Sequence, residues 1–234
     1  KSVEDYLIKN KESIVGMDEE RTAYNFKKIC NDNNIPTNYL SDPCAYPKAQ
    51  KNSTELLGAR NANIRDGLSV TKFLYWLKNE IIIEEIDEMK AANYLYDLRK
   101  NNDLFYSLSF DTISAVNKNA ALPHYKLSYE SNLPFRKNSI YLVDSGAQYH
   151  DGTTDITRTI ILGKPTEQQK DRFTRVLKGH IAIALATFET DTKGSILDPL
   201  ARKSLQDIGC DYDHGTGHGI GSFLSVHEGP QRIA

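Results

Sequence analysis

Apolar residues recur at helical spacing in two stretches of the first half of the chain. The first stretch predicts a long helix over about 52–79, with an apolar face formed by Leu57, Ile64, Leu68 and Tyr75 and widened by Leu56, Phe73, Leu74 and Leu77. Gly58 and Gly67 lie inside this helix, where each costs about 1 kcal/mol relative to alanine. The second stretch predicts a helix over 83–100, with an apolar side formed by Ile86, Met89, Ala92, Leu95 and Leu98.

Three further segments carry start or stop signals for helices. A helix is predicted over about 18–31, with apolar positions Tyr24, Phe26 and Ile29, and an Asn-Asp-Asn-Asn run ends it. A Thr-x-x-Gln capping box after Pro165, formed by Thr166 and Gln169, predicts a helix that continues to about residue 188. The last predicted helix covers about 196–208 and ends at Gly209, which is suited to a left-handed C-cap.

Strand-like segments at 104–114 and 140–162 follow the two long helices. This order predicts an α+β fold, with helices on one side of a mixed or antiparallel sheet. The stretch 42–52 contains two prolines and a shift in composition, so it is either a linker between domains or an ordinary surface loop. The sequence contains no internal repeat.

The composition excludes several classes of protein. Of the 234 residues, 39% are hydrophobic and 26% are charged, as in globular domains, which argues against disorder and against collagen. The net charge of -2 provides no general attraction for nucleic acid or for an anionic membrane. The longest apolar stretch, 181–188, is much shorter than the roughly 20 residues of a spanning helix. We therefore expect neither a nucleic-acid partner nor a membrane span.

Cysteine usage and the first residues bear on the cellular setting. Cys30, Cys44 and Cys210 are odd in number and form no Cys-x-x-Cys pair, which argues against a disulfide scaffold and a zinc knuckle and favours the cytoplasm. The chain begins without a methionine and without an apolar signal core. We expect that it begins inside a longer protein rather than at a processing site.

Two carboxylates lie eleven residues apart, at Asp144 and Asp155. The Asp-Gly pair at 151–152 favours a two-residue turn, which would pair Gln148 with Asp155 and leave Asp144 roughly 13 Å away. A reversal centred just before His150 would instead place the two aspartates directly opposite on one face, about 5 Å apart. Two carboxylates at so short a distance repel each other unless a cation lies between them or one of them is protonated. The alternative is that Asp144 is a strand-end residue, Asp155 is a solvated surface residue, and the Asp-Gly pair forms a simple hairpin.

A second group of residues favours the metal interpretation. His214, His218 and His227 lie within fourteen positions, beside glycines at 215, 217, 219 and 221 that disfavour a helix. In an extended segment, His214 and His218 share a face. A glycine-rich phosphate loop is the alternative, but such loops lead into a helix, and this one leads into Phe-Leu-Ser-Val-His. Three histidines together with a pair of aspartates favour metal and proton-transfer chemistry.

At these residues the sequence resembles a known family. The segments Asp-Ser-Gly-Ala-x-Tyr-x-x-Gly-Thr-Thr-Asp-x-Thr-Arg-Thr and His-Gly-Thr-Gly-His-Gly-x-Gly-Ser-Phe-Leu-x-Val-His-Glu-Gly-Pro are similar to the signatures of aminopeptidase P, or Xaa-Pro aminopeptidase. That family has the pita-bread fold of methionine aminopeptidase and prolidase, in which helices pack on a curved, mainly antiparallel sheet. The Gly-Thr-Thr-Asp and Val-His-Glu-Gly-Pro forms resemble the long cytosolic type more than prolidase.

The resemblance implies that the chain contains parts of two domains. It covers roughly 44–234, which would be an incomplete pita-bread catalytic domain. Residues 1–43 resemble the end of a preceding creatinase-like N-terminal domain.

The resemblance also implies a role for each candidate residue. Asp144, Asp155 and His218 match metal ligands of the family, with Asp155 as the bridging carboxylate. The substrate-side histidines match His124, His214 and His227; of these, His124 and His227 are the candidate catalytic residues and His227 is the proton shuttle. The family holds two divalent ions, usually Mn²⁺, with a bridging water that attacks the Xaa-Pro carbonyl. Ions about 3.5–4 Å apart lower the pKa of that water and stabilise the oxyanion.

Two departures from the family pattern matter. The two remaining ligands of the family are glutamates downstream of its Val-His-Glu-Gly-Pro segment, whereas this sequence ends at Ala234. Glu228 belongs to the matched motif and cannot replace them. We therefore expect the sequence, taken alone, to be a piece of a longer enzyme and to be inactive. Near His124, Asn117 and Ala120 stand where the family often has glycine.

Three functions are compatible with the sequence. The first is metal-dependent hydrolysis of the Xaa-Pro bond, which releases the first residue from peptides with proline in second position. The second is a prolidase, which acts on Xaa-Pro dipeptides. The third is a non-catalytic peptide-binding module with the same fold. The resemblance also implies a homodimer.

Overall fold

The computed structural model describes residues 2–79 and 82–234. The chain divides into two compact units, Lys1–Gln50 and Lys51–Ala234. The stretch 42–52 contains this boundary and also a short helix, Ala45–Ala49. None of the helices in the described part of the chain combines the length and the apolar composition needed to cross a bilayer.

The first unit is a small α/β arrangement. Its elements are α1 (Val3–Lys9), β1 (Val15–Met17), α2 (Tyr24–Asp32), β2 (Thr37–Tyr39) and α3 (Ala45–Ala49). The strands β1 and β2 are parallel, and Met17, Cys30 and Ile35 form a small buried cluster. The prediction that a helix starts near Asp18 is wrong, because the Asp18 carboxylate accepts hydrogen bonds from the backbone of Glu20 and Arg21 and stabilises a turn there.

The second unit contains four α-helices and eight short strands among the described residues. The helices are α4 (Ser53–Asn79), α5 (Glu88–Lys100), α6 (Glu167–Ala184) and α7 (Gly194–Gln206), with 3₁₀ turns at Ile83–Glu85 and Asn117–Ala121. The strands are β3 (Phe105–Leu108), β4 (Ile113–Val116), β5 (Ser139–Ser145), β6 (Ala147–Tyr149), β7 (Gly152–Thr153), β8 (Ile156–Leu162), β9 (Gly217–Gly219) and β10 (Glu228–Ile233).

All strand pairs of this unit are antiparallel. They form the orders β3-β6-β7, β4-β5-β8 and β9-β10. The main core lies where α4 and α5 meet the sheet, and it consists of Val70, Phe73, Leu77, Ala91, Leu95, Val116, Phe135, Tyr141, Val143 and Leu162. The prediction of an α+β fold with an antiparallel sheet is confirmed.

The apolar face predicted for α4 is correct at Phe73 and Leu77, which are buried, and wrong for the four residues that defined it. Leu57, Ile64, Leu68 and Tyr75 are 57%, 75%, 54% and 58% exposed. The buried face instead carries small and polar residues, Gly58, Ala62, Asp66 and Ser69, followed by Val70, Phe73 and Leu77. Small residues are required there because the helix packs closely on a strand turn: a Cβ at Gly58 would overlap the carbonyl oxygen of Asp151.

The predicted helix ends were largely correct where capping chemistry set them. Thr166 forms a capping box with Gln169 at the start of α6, and Gly209 follows α7 with a φ of 71°. The helix predicted over 83–100 starts late: a 3₁₀ turn precedes it, and Asp87 caps α5 by accepting a hydrogen bond from the Lys90 backbone.

The strand reversal between β5 and β8 has a register that neither sequence alternative contains. Gln148 pairs with Thr153 and Asp144 pairs with Thr157, so the turn lies at His150 and Asp151. The prediction that Asp144 stands directly opposite Asp155 is therefore wrong by two residues. A shift of two residues keeps both side chains on the same face, because the side-chain period of a strand is two.

Candidate metal centre

Three side chains that suit a metal ion converge beside the start of β8. One ligand atom each from Asp155, His218 and His227 lies within 4.8 Å of the others. Asp155 directly precedes β8, His218 is the middle residue of β9, and His227 directly precedes β10. The rings of His218 and His227 meet edge to face, with centroids 4.2 Å apart. The fold therefore joins residues that are distant in sequence into one donor set.

The contacts of His218 determine which ring nitrogen faces the Asp155 carboxylate. Nδ1 of His218 lies 2.9 Å from the carbonyl oxygen of Gly219, which can only accept, so Nδ1 carries the proton. The other ring nitrogen, Nε2, lies 3.1 Å from Oδ2 of Asp155. A ring nitrogen and a carboxylate oxygen at that distance share either a proton or a cation.

Asp144 contributes a second carboxylate to the same region. It lies in β5 opposite Thr157, whose hydroxyl donates a 2.7 Å hydrogen bond to Oδ1 of Asp144. Burial raises the pKa of Asp155, and the negative charge of Asp144 raises it further, while His218 and His227 oppose the shift. The two aspartates are thus close enough to repel, and oxygen and nitrogen donors of this kind suit a divalent ion. The residues present fit a metal.

The donor set lies in a broad cleft. His124, Asp144, Asp155, His218 and His227 all line it. His214 does not line the cleft, because its ring stacks on Tyr212 with centroids 4.7 Å apart. The sequence placed six candidate residues at one site, and the structure brings five of them together.

His124 is held in the cleft by a loop with a buried anchor. Glu88, at the start of α5, is fully buried and accepts hydrogen bonds from the backbone of Val116 and Leu133 and from the hydroxyl of Tyr125, at 2.7, 3.0 and 2.7 Å. Tyr125 is adjacent to His124. The Glu88 carboxylate therefore fixes the loop that presents His124.

The segment before β9 is fixed by Arg202 of α7. Its guanidinium donates to Asp198 and to the carbonyl oxygens of Tyr212 and His214, at 2.6, 2.6 and 2.8 Å, and it stacks on the Tyr212 ring. Asp198 also accepts a hydrogen bond from Thr216. These contacts orient the strand that carries His218.

Three residues that support the site, Thr157, Glu88 and Arg202, were not predicted from the sequence. Thr157 could have been found, because it lies two residues after Asp155 and a strand places such residues on one face. Glu88 and Arg202 carry no local signal, since each acts on residues that the fold brings to it.

Comparison with known proteins identifies relatives for most of the chain. Residues 58–234 match the profile of Metallopeptidase family M24. A probable Xaa-Pro aminopeptidase P of Aspergillus flavus is 52% identical over 193 residues, which cover 82% of this chain and 30% of that protein. Xaa-Pro aminopeptidase 1 of Dictyostelium discoideum is 48% identical over 198 residues, which cover 82% of this chain and 31% of that protein. The chain thus spans about a third of the length of the curated relatives that it matches.

Solved structures show the same fold. X-prolyl aminopeptidase from Caenorhabditis elegans, described as a cytosolic enzyme with a di-nuclear active site, matches with a TM-score of 0.90 and 40% identity, over 99% of this chain and 38% of that one. The prolidase from Pyrococcus horikoshii matches with a TM-score of 0.80 and 26% identity, over 100% of this chain and 65% of that one. The predicted pita-bread fold is confirmed.

Proposed function

Because the chain belongs to metallopeptidase family M24, we propose that it forms the metal-binding part of an aminopeptidase that removes the first residue from peptides with proline in second position. The observation that supports this most directly is the donor set of Asp155, His218 and His227, which lies in the cleft beside Asp144. The relatives named Xaa-Pro aminopeptidase support the substrate class.

We assign Asp144, Asp155 and His218 as metal ligands. Asp155 contacts Nε2 of His218 and is close enough to Asp144 to be influenced by its charge, so we assign it as the ligand that the two ions share. Two divalent ions, Mn²⁺ in this proposal, would provide a nucleophilic water at neutral pH and polarise the scissile carbonyl. The di-nuclear site described for the Caenorhabditis elegans enzyme supports this number.

The remaining residues act on the substrate. The nitrogen of proline must gain a proton when the Xaa-Pro bond breaks, and we assign His227 to deliver it, because its exposed ring lies against His218 at the mouth of the donor set. His124, on its anchored loop, contacts the substrate from the edge of the cleft. His214 remains a candidate substrate residue from sequence alone, although its ring lies against Tyr212.

Two substitutions in the whole protein test these roles. His218→Ala should abolish tight binding of Mn²⁺, whereas His227→Ala should leave the metal content near normal and lower turnover by about 10²–10⁴-fold. Elemental analysis and hydrolysis of an Xaa-Pro-Yaa peptide measure the two effects. Loss of metal from His227→Ala would reassign that histidine as a ligand, which its place in the donor set allows.

A prolidase is the second candidate function, because prolidases share the fold. A prolidase would cleave Xaa-Pro dipeptides and leave Xaa-Pro-Yaa peptides intact, whereas the proposed aminopeptidase would cleave the longer peptides. A peptide-binding module would bind such peptides without turnover and without two bound ions.

Two further properties complete the proposal. We propose a cytosolic location, supported by the cytosolic Caenorhabditis elegans enzyme. We also propose a homodimer, as the resemblance implies; sedimentation of the whole protein at micromolar concentration would detect it, and a monomer would contradict it.

A further inference from the structure

We infer that a buried ion pair between Asp66 of α4 and Arg99 of α5 positions the two aspartates of the metal centre. Both side chains are fully buried, and Arg99 contacts the carboxylate twice, Nε to Oδ1 at 2.7 Å and Nη2 to Oδ2 at 2.9 Å. The inference rests on the proposed role of Asp144 and Asp155 as metal ligands. It assigns a positioning role to residues that do not line the cleft.

The Asp66 carboxylate also accepts two hydroxyl hydrogen bonds, one on each oxygen. Tyr149 donates to Oδ1 and Thr154 donates to Oδ2, both at 2.9 Å. Burial raises the pKa of Tyr149, and the nearby Asp66 charge raises it further, so this hydroxyl stays protonated and donates. Each oxygen of the Asp66 carboxylate therefore accepts two hydrogen bonds, so all four lone pairs have a donor.

Thr154 transmits this anchoring to the metal centre because it directly precedes Asp155. Its backbone N–H donates to Ala147, its hydroxyl accepts from the Ala147 N–H, and its carbonyl oxygen accepts from Ser109, each at 2.9 Å. A Cβ at Gly146 would overlap that carbonyl oxygen, so the backbones lie in close contact. The peptide that leads into Asp155 is thus held at its nitrogen, its oxygen and its side chain.

The other member of the ion pair reaches the second aspartate. Nη2 of Arg99 donates to the carbonyl oxygen of Ser145 at 3.4 Å, and Ser145 directly follows Asp144. One ion pair therefore contacts the residue after one aspartate and the residue before the other. Because Asp66 and Arg99 come from different helices, the separation of the two carboxylates depends on how α4 and α5 pack.

Stability alone is a weak explanation for this pair. A buried ion pair commonly contributes no more to folding than apolar residues of the same volume, because both charges lose their hydration. Moreover, Nη1 of Arg99 is buried without a hydrogen-bond partner in the described part of the chain. What the pair does provide is a fixed geometry, of the kind that outer contacts supply to metal ligands.

Two substitutions separate positioning from stability, since Asp66 accepts two hydroxyl hydrogen bonds of equal length. Thr154→Val also removes the acceptor of the Ala147 N–H, so the losses of affinity are compared in proportion to the losses of stability. Thr154→Val removes the hydroxyl next to Asp155, and Tyr149→Phe removes the hydroxyl that is not adjacent to either aspartate. Both residues are fully buried and both hydrogen bonds measure 2.9 Å. Thr154→Ser retains the hydroxyl and serves as the rescue variant. Metal affinity is measured by calorimetric titration with Mn²⁺, and stability by urea unfolding of the metal-free protein.

We expect Thr154→Val to weaken Mn²⁺ binding by about 10–100-fold, with Tyr149→Phe and Thr154→Ser within about threefold of wild type. The absorption spectrum of the Co²⁺-loaded protein should change in Thr154→Val alone. Equal loss of affinity in Thr154→Val and Tyr149→Phe, in proportion to their loss of stability, would overturn the positioning role. Asp155→Ala distinguishes the two proposals: if it binds Mn²⁺ like wild type, the ligand assignment itself is wrong.

Discussion

Two glycines of α4 offer a matched test of how closely this helix packs on the metal-binding strands. A Cβ at Gly58 would overlap the carbonyl oxygen of Asp151 and lie 3.0 Å from its carbonyl carbon, whereas a Cβ at Gly67 would meet nothing within 4 Å. Both positions are interior to the same 27-residue helix. Gly58→Ala and Gly67→Ala therefore gain the same helix propensity and differ only in what the methyl group meets.

The expected effects have opposite sign. Each substitution gains about 1 kcal/mol from helix propensity. Gly58→Ala also incurs the cost of overpacking, about 3 kcal/mol at the upper end of the usual range, because the obstacle is backbone and cannot change rotamer. The net change in unfolding free energy is then about +1 kcal/mol for Gly67→Ala and about -2 kcal/mol for Gly58→Ala. Since the propensity term cancels, the difference of about 3 kcal/mol measures the packing alone.

Urea unfolding of the whole protein, followed by far-ultraviolet circular dichroism, measures these changes. Gly58→Ala should also weaken Mn²⁺ binding, because a displaced turn at Asp151 moves the strand that leads to Asp155. Equal stability of the two alanine variants would show that α4 does not press on the turn, and the packing argument would fail.

Three other outcomes follow from the charges of the site. Glu88→Gln should lower the unfolding free energy by about 2–3 kcal/mol, because the amide nitrogen of the new glutamine would face hydrogen-bond donors. It should also raise the KM for the peptide substrate, because the loop that presents His124 loses its anchor. Unchanged urea midpoints and kinetics would contradict both expectations. Burial raises the pKa of Asp155, so the metal-free protein should lose stability as pH rises through that pKa, and Asp155→Asn should remove the loss in thermal scans at pH 4 and pH 7. A chelator should lower Tm, and Mn²⁺ at about 100 times its Kd should restore about 2.7 kcal/mol in wild type but not in Asp155→Ala.

The sequence predicted the face of the two aspartates better than their register. Alternation along a strand is a local property, so it correctly placed Asp144 and Asp155 on one side of the sheet. The turn position depends on contacts made by the folded chain: Arg65 of α4 donates to both oxygens of Asp151, at 3.0 and 3.1 Å, and favours the turn at His150 and Asp151. No pattern within the hairpin encodes a partner that lies 86 residues away.

The buried face of α4 was hidden from sequence for a related reason. Periodicity identifies the most apolar stripe, and in this helix that stripe contains Leu57 and Ile64, which are exposed. The face that packs carries Asp66, whose charge is paired with Arg99 of the next helix. Capping boxes and C-terminal glycines were predicted correctly because they act within a few residues of the chain.

The distance in sequence between Asp66 and Thr154 has a kinetic consequence. The hydrogen bond between them closes a loop of 88 residues, and the Arg99 contact closes one of 33. Loops of that length form late relative to local helices, because the chain must lose the entropy of loop closure before any stabilising contact forms. The metal-binding corner should therefore be absent from the folding transition state. Mn²⁺ would then slow unfolding and leave the refolding rate unchanged, so a cell would gain a longer-lived native protein rather than a faster-maturing one.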